Sequence, residues 1–301
     1  MEEFRSGIVS VIGRPNAGKS TLLNALLGQK VAAVSPRPQT TRRRQLGILT
    51  RTDSQLVFVD TPGIHTPHHK LGEYLDQEIR ASLDGLDVVL CLVDVSAAPN
   101  DDDRRLGAVV AAVPASVAMV LAANKVDLVS PDAAAGNLQQ YRQLFQRECE
   151  AVYISATRGD GLSELVDLLV RSCPIRHALY EADQITDLYE RDIAADLIRE
   201  AALLYLRDEV PHGIAVRVDE FKERDRGAAY IAATVFVDRP SQKAIVIGQG
   251  GKMLKQIGTK ARQEIEAMGG HSVFLELRIK VEKGWRNNPA LLNRLGYKSK
   301  R

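Results

Sequence analysis

The octapeptide GRPNAGKS at residues 13–20 constrains the fold of this chain more than any other sequence feature. It fits the pattern GxxxxGK[ST], follows an apolar run at 7–12 that predicts a strand, and precedes a helix-like segment that Gly28 ends. In a strand–loop–helix setting the loop N–H groups can close on phosphate oxygens, and the helix N-terminus favours their negative charge. The sequence therefore predicts a phosphate-binding loop within an α/β domain.

Short apolar runs rich in β-branched residues alternate with helix-like segments as far as about residue 172. This alternation indicates a mostly parallel sheet covered by helices on both faces. We expect residues 45–50 to pair with 55–60 as an antiparallel hairpin at the edge of that sheet. The runs that predict parallel strands are 7–12, 55–60, 88–94, 117–123 and 151–154.

The length of 301 residues favours two domains. We predict a nucleotide-binding domain over residues 1–172 and a linker over 173–195 that merges into a helix. A smaller α+β domain with a basic tail is predicted over 196–301. Its elements are expected in the order helix, strand, strand, helix, GxxG loop, helix, strand.

Charge is distributed unevenly along the chain. The net charge is only +2, which is too small for wholesale packaging of nucleic acid, but from Asp238 onwards there are 14 basic residues against 5 acidic ones. The preceding part is therefore net negative. By its charge balance the C-terminal end is suited to meeting the phosphates of a nucleic acid, and the other end is not.

Several other classes of protein are disfavoured by the sequence. Cys91, Cys149 and Cys173 lie far apart without a CxxC pair or companion histidines, which argues against a disulfide framework or a zinc site and favours a reducing cytosol. The short acidic N-terminus predicts no signal peptide. The uncharged stretch 106–123 is interpreted as a helix end followed by a buried strand, because Pro114 interrupts it.

Residues suited to a nucleoside triphosphate and its Mg²⁺ lie in two motifs. Lys19 of the phosphate loop can reach the β- and γ-phosphates, and Ser20 can bind Mg²⁺. Asp60 ends the strand at 55–60 and begins DTPG, which places a carboxylate beside the loop where it can hold Mg²⁺ through water. The backbone N–H of Gly63 is expected to sense the γ-phosphate.

The segment QTTRR at 39–43 lies between these two motifs. A threonine here can complete the Mg²⁺ shell when a γ-phosphate is present, which would make the segment a conditionally ordered switch. Thr41 is the preferred ligand and Thr40 the alternative. We expect Arg42 and Arg43 to face solvent or RNA, and a catalytic role is the less favoured alternative. The predicted catalytic residues are Lys19, Thr41, Asp60 and Gly63.

The tetrapeptide NKVD at 124–127 follows another predicted strand and identifies the base. The carboxylate of Asp127 can accept parallel bonds from the N1–H and N2–H₂ groups of guanine, which adenine does not offer. An unpaired acceptor costs about 1–3 kcal/mol or more, which is roughly fivefold to several hundredfold in discrimination. Asn124 is expected to tie this loop to the phosphate loop, Lys125 to cover the purine, and Ser155-Ala156 to supply an N–H for guanine O6.

With these motifs the chain resembles the TRAFAC-class GTPases, in the branch that carries GRPNxGKS, QTTR and DTPG. Ile64 stands where Ras-like relatives have a water-orienting glutamine, so slow intrinsic hydrolysis is expected. Relatives with this replacement often hold K⁺ with the residue that corresponds to Asn16, and Asn16 is either such a ligand or a brace of the loop. The metal ligands predicted are Ser20, Thr41, Asp60 and, for K⁺, Asn16. The predicted nucleotide-contacting residues are Gly13, Arg14, Pro15, Asn16, Ala17, Gly18, Lys19, Ser20, Thr21, Asp60, Thr61, Pro62, Gly63, Ile64, Asn124, Lys125, Val126, Asp127, Ser155 and Ala156.

The C-terminal part contains IGQGGK at 247–252, a GxxG between two predicted helices that resembles a KH domain. The glycines let a single-stranded backbone approach closely. Residues 239–262 include six basic residues and no acidic one. Trp285, in the basic tail, is interpreted as a core residue more than as a base-stacking one. The predicted RNA-binding residues are Gly248, Gln249, Gly250, Gly251, Lys252 and Lys255.

Over nearly its whole length the chain is similar to the Era-type GTPases, which join such a GTPase domain directly to a KH domain. The resemblance implies a Mg²⁺-dependent GTPase, potentially stimulated by K⁺, that binds the 3′ end of 16S rRNA through its KH domain. It further implies a role in biogenesis of the small (30S) ribosomal subunit. It also implies a cytoplasmic monomer with potential peripheral association at the inner face of the cell membrane, a contact that the basic tail could make with anionic lipid.

Other functions are disfavoured by particular residues. A tRNA-modification GTPase is disfavoured because the chain ends KSKR without a C-terminal cysteine, and a doubled GTPase because there is one phosphate loop. An RNA-binding scaffold with a merely structural nucleotide site is opposed by Asn16, Lys19 and Asp60. An ATP-dependent P-loop kinase is opposed by NKVD.

Overall fold

The computed structural model describes residues 3–35, 37, 40–64, 69–224 and 228–297. The predictions that involve Gln39, the turn at 225–227 and the last four tail residues lie outside them. The chain divides into two compact units, which do not follow two continuous stretches of sequence. Unit 1 comprises Met1–Gln29, Thr41–Thr66 and Leu75–Asp187, and unit 2 comprises Lys30–Thr40, Pro67–Tyr74 and Leu188–Arg301.

Unit 1 contains a six-stranded sheet in the order β2-β3-β1-β4-β5-β6. Every neighbouring pair is parallel except β2 and β3, which pair antiparallel with Gln45 opposite Asp60. The predicted α/β class and the edge hairpin are therefore confirmed. The strands are β1 (Arg5–Ile12), β2 (Gln45–Thr50), β3 (Ser54–Asp60), β4 (Val88–Asp94), β5 (Ala118–Asn124) and β6 (Glu150–Ile154).

Helices cover this sheet, as its apolar strands require. Every residue of β3 and β4 is buried, which is the pattern of strands covered on both faces. The stretch 106–123 divides into the end of α3 and most of β5, as expected. The first five helices are α1 (Lys19–Leu27), α2 (Lys70–Ala81), α3 (Asp101–Ala111), α4 (Pro131–Phe145) and α5 (Leu162–Ser172).

The segment after α5 packs along the strands of unit 1. Ile175 forms an antiparallel bridge with Arg5, and Thr186 forms one with Gly47. The buried Gln55 side chain accepts bonds from the backbone N–H groups of Leu179 and Tyr180 through Oε1, at 2.7 and 2.9 Å. Residues as far as Asp187 therefore belong to unit 1. The predicted domain bounds stay a prediction.

Unit 2 contains a three-stranded sheet, β7-β8-β9, with β7–β8 antiparallel and β8–β9 parallel. The helices α6 and α8 pack on one face of it around an apolar core. The elements follow the predicted helix–strand–strand–helix–loop–helix–strand order. They are α6 (Glu190–Tyr205), β7 (Ala215–Arg224), β8 (Ala228–Val237), α7 (Pro240–Ile247), α8 (Lys252–Gly269), β9 (Val273–Val281) and a short C-terminal helix, α9 (Pro289–Arg294).

Trp285 lies in the core of unit 2, as expected. Its side chain is completely buried, its Nε1–H donates to the carbonyl of Gly213 at 2.9 Å, and its ring stacks on Tyr297. The ring is therefore not accessible to a base. Within the residues described, none of the helices combines the length and apolarity needed to cross a bilayer.

Candidate nucleotide and nucleic-acid sites

The phosphate loop is formed at the carboxyl edge of the sheet, between β1 and α1. A Cβ on Gly13 would lie 2.6 Å from the carbonyl oxygen of Leu92, so only glycine lets the loop approach β4 this closely. Lys19 is 7% exposed, and its Nζ donates to the carbonyls of Gly13 and Arg14 at 3.0 and 3.1 Å. Burial lowers the pKa of Lys19 to about 8, against a smaller opposing effect of Asp60. A buried ammonium held by carbonyls is suited to an anionic ligand.

The predicted Mg²⁺ ligands come together next to this loop. The Ser20 hydroxyl lies 3.0 Å from Asp60 Oδ2 and 2.9 Å from the Thr41 hydroxyl, which donates to the same carboxylate oxygen at 3.1 Å. Burial raises the pKa of Asp60 above its usual value, although Lys19 and the hydroxyls oppose the rise. Its other oxygen, Oδ1, is buried and has no hydrogen-bond partner among the described residues. This oxygen-rich cluster with an unsatisfied buried carboxylate fits Mg²⁺.

The two threonines of the switch segment have different surroundings. Thr41 lies in unit 1 with Ser20 and Asp60. The Thr40 hydroxyl instead donates to the carbonyl of Arg37 at 2.8 Å, within unit 2. The structure therefore places the preferred candidate, not the alternative, at the predicted metal cluster.

The expectation that Arg42 faces solvent or RNA is wrong. Its side chain is 2% exposed, although Arg44, two residues further on, is exposed. Arg43 is half-buried. Arg42 is therefore a structural part of unit 1 and is unavailable to a nucleic acid.

Gly63 and Ile64 connect the DTPG motif to the phosphate loop. A Cβ on Gly63 would lie 2.9 Å from the backbone of Pro15, which shows that the two loops are in contact. The backbone N–H of Ile64 donates to the carbonyl of Gly13 at 3.4 Å, while its side chain is 5% exposed and packs into the core. Position 64 contributes no polar side-chain group that could orient water.

The base-recognition motif is organised by Asn124, which is 2% exposed. Its Nδ2 donates to the carbonyl of Ala17 at 2.8 Å, and its Oδ1 accepts from the backbone N–H of Ala156 at 3.0 Å. One side chain thus joins the phosphate loop, the NKVD loop and the loop after β6. The Ala156 N–H already donates to Asn124. Its predicted contact with guanine O6 therefore requires this N–H either to be shared between the two acceptors or to be released by Asn124.

Lys125 and Asp127 follow at the end of β5. Lys125 adopts a left-handed backbone with φ of 71°, and Asp127 lies half-buried on the short 3₁₀ turn Val126–Leu128. The Nζ of Lys125 donates to Asp94 Oδ2 at 2.6 Å. The geometry therefore fixes the lysine stem at the edge where the base is predicted to bind.

Sequence reasoning missed an acidic pair that connects these loops. Asp94, at the end of β4, also accepts from Arg14 of the phosphate loop at 3.0 Å, and Asp103 lies 3.6 Å from the same guanidinium. Burial raises the pKa of Asp94, but the bonds from Lys125 and Ser96 outweigh it and the net pKa is lowered. The signal available was a carboxylate at the carboxyl end of a parallel strand.

The predicted RNA-binding residues lie together in unit 2. Gln249–Gly251 form a short turn between α7 and α8, and positions Gly250 and Gly251 have nothing within 4 Å of an added Cβ. Beside this turn is an open groove of about 710 Å³ between α8 and β9. The groove is lined by Gly251 of the turn, by Leu254, Lys255, Gly258, Thr259 and Arg262 of α8, and by residues 273–277 of β9.

Comparisons with known proteins identify relatives of both parts of the chain. Residues 8–125 match the family described as 50S ribosome-binding GTPase, and residues 209–286 match the KH domain family. The GTPase Era of Heliobacterium modesticaldum is 42% identical over 300 residues, covering 100% of this chain and 99% of that protein. The GTPase Era of Geobacter metallireducens is 45% identical over 295 residues, covering 98% of each.

Two solved Era structures superpose on the chain with a TM-score of 0.92 and 36% identity, covering 98% of this chain and 100% of each relative. One is Era in complex with MgGDPNP and nucleotides 1506–1542 of 16S ribosomal RNA. The other is a point variant of Aquifex aeolicus Era bound to GDP·AlF₄⁻.

Proposed function

This chain belongs to the Era family of GTPases, and on that premise we propose that its GTP cycle controls binding to the 3′ region of 16S rRNA during assembly of the small ribosomal subunit. The observation that carries the proposal is the pairing, in one chain, of a guanine-nucleotide site with an open GxxG turn beside a basic groove. The related Era holds both MgGDPNP and nucleotides 1506–1542 of 16S rRNA.

The geometry of the nucleotide site supports the following proposed roles. Ser20, Thr41 and Asp60 would hold Mg²⁺, which would supply positive charge to the phosphates during hydrolysis. Lys19 supplies a buried positive charge to the same phosphates. Because Thr41 precedes β2 on a segment without regular structure, its position can depend on whether a γ-phosphate is present.

The RNA-binding part of the proposal is tested with Gly251→Asp in the full chain. Gly251 has φ of +78° and open space around it, so an aspartate adds bulk and negative charge where a phosphate backbone would pass. We expect affinity for RNA of nucleotides 1506–1542 of 16S rRNA to fall about tenfold or more, with GTP affinity unchanged. Gly270→Asp is the matched control, since Gly270 has φ of +67° and equally open space at the other end of α8. Equal RNA affinity of the two variants would refute the assignment.

Hydrolysis is proposed to use a K⁺ ion held by Asn16, because Ile64 is buried and supplies no polar side-chain group. Asn16 is exposed on the phosphate loop with φ of 61°. GTP turnover is expected to be faster in K⁺ than in Na⁺. Asn16→Gly removes the side chain but suits this left-handed backbone, and it should abolish the difference. Equal wild-type rates in both salts would remove K⁺ from the mechanism.

The setting of this activity is proposed as well. A cytoplasmic monomer that engages the 30S subunit and touches the inner face of the membrane is supported by the basic C-terminal part and by the family. Co-sedimentation of the full chain with 30S subunits in GTP and GDP tests the first contact. Co-sedimentation with anionic vesicles tests the second, and retention in the supernatant would refute it.

A further inference from the structure

A stack of one cation and two aromatic rings lies on the face of the three-stranded sheet opposite to α6 and α8. We call Arg224, Tyr230 and Phe274 the aromatic stack. Tyr230 and Phe274 are opposite each other in β8 and β9, with ring centroids 5.9 Å apart and an angle of 18° between the ring planes. The guanidinium carbon of Arg224 lies 4.8 Å from the Tyr230 centroid and 6.0 Å from that of Phe274.

Phe274 leaves most of its ring in water. It is 61% exposed, although its neighbours Val273 and Leu275 in the same strand pack into the core. Since β9 is an edge strand, Phe274 lies at the margin of the three-stranded sheet. An open aromatic face on a rigid strand is a platform on which a flat ligand can stack.

The charges around the platform favour an anionic partner. Glu276 accepts from the Tyr230 hydroxyl at 2.7 Å and pairs with Arg278 at 2.7 Å, so its carboxylate is occupied within the protein. Glu220 is likewise paired with Lys222. Arg224 adds a further cation on the same face. Flat rings among cations are the combination that binds nucleobases joined by phosphates.

The aromatic stack is continuous with the GxxG groove. Phe274 is itself one of the residues that line the groove, together with Lys255 and Arg262 of α8. We propose that the aromatic stack is a base-stacking subsite for single-stranded RNA, at which a nucleotide leaving the groove across β9 stacks on the open face of Phe274. This subsite rests on the proposed RNA-binding function and extends it beyond the groove. A protein partner on the same face is the competing occupant.

The subsite is tested in the full chain with RNA of nucleotides 1506–1542 of 16S rRNA. Phe274→Leu should weaken binding about 5- to 150-fold, and Phe274→Trp should restore it. Phe274→Leu should not change the slope of log affinity against log salt concentration, because stacking releases no counterions. Lys255→Ala should reduce the magnitude of that slope by about 1. Tyr153→Leu is the control, since Tyr153 is an exposed aromatic residue of β6 in unit 1.

A second readout identifies the stacked base. 2-Aminopurine substituted at one position at a time should be quenched at a position beyond the groove in the wild type and brighten with Phe274→Leu. If Phe274→Leu binds like the wild type while Gly251→Asp does not, the subsite is refuted and the groove stands. If both variants bind like the wild type, the RNA-binding function itself fails. Loss of affinity without a change at any 2-aminopurine position would also refute the stacking.

Discussion

Replacing Asn124 tests whether one side chain holds the three nucleotide-binding loops together. Asn124→Ala removes two hydrogen bonds: the one that Nδ2 donates to the Ala17 carbonyl at 2.8 Å, and the one that Oδ1 accepts from the Ala156 N–H at 3.0 Å. Both bonds are buried, since Asn124 is 2% exposed. Each unsatisfied buried partner costs about 1–3 kcal/mol. The free energy of unfolding of unit 1 should therefore fall by about 2–5 kcal/mol, allowing for partial access of water. Such a loss is a large part of the stability of a typical domain.

Urea unfolding of the nucleotide-free chain, followed by circular dichroism, measures this loss. Asn137→Ala is the matched control, because Asn137 makes one partly buried bond to the carbonyl of Val95 and should cost about 1 kcal/mol. Asn124→Asp keeps the acceptor for Ala156 but replaces the donor to Ala17, and it should also weaken GDP binding. If Asn124→Ala costs no more than Asn137→Ala, the joining role assigned to Asn124 is wrong.

Three further predictions concern single residues. In the nucleotide-free protein the pKa of Lys19 is about 8, whereas its pKa in the unfolded chain is 10.5. At pH values between these two, the unfolded state therefore binds more protons than the folded state. Its contribution to the free energy of unfolding should therefore rise with pH across that window, and urea titrations should show that Lys19→Met loses the rise. Asp127→Asn presents a donor to the N2 amino group and should lower GTP affinity about 5- to 150-fold, which corresponds to about 1–3 kcal/mol, with xanthosine triphosphate bound better than GTP in calorimetry. Trp285→Phe leaves the Gly213 carbonyl without its donor and should destabilise unit 2 by about 1–3 kcal/mol in denaturation followed by circular dichroism, and an unchanged midpoint would refute the role of that bond.

Much of the nucleotide site could be predicted because its motifs stand at strand ends. Once β1, β3 and β5 are recognised as parallel, their carboxyl ends must meet at one edge, and with them Lys19, Asp60 and Asn124. The edge hairpin was predictable for a similar reason, because a short polar turn joins two strand-like runs. These inferences need only local spacing and the geometry of a parallel sheet.

Other features could not be predicted, because they depend on partners distant in sequence. Thr40 and Thr41 are adjacent and chemically alike, and only the fold directs one hydroxyl to Ser20 and the other to the Arg37 carbonyl. The burial of Arg42 likewise contradicts the expectation from the local sequence, since the side chains in a run of arginines are ordinarily solvated. Residues 173–187 have no periodicity that would reveal their bridges to β1 and β2.

The sequence by itself predicted the chemistry of this protein: a phosphate loop, a carboxylate for guanine and a glycine turn for an RNA backbone. Each of these depends on residue types at short fixed spacings. Only the tertiary structure decided how Asp94 joins Arg14 to Lys125, and how Phe274 and Tyr230 form a stack beside the groove. Such contacts join strands or loops separated by tens of residues, and their geometry is set by sheet register and packing, which local sequence does not encode.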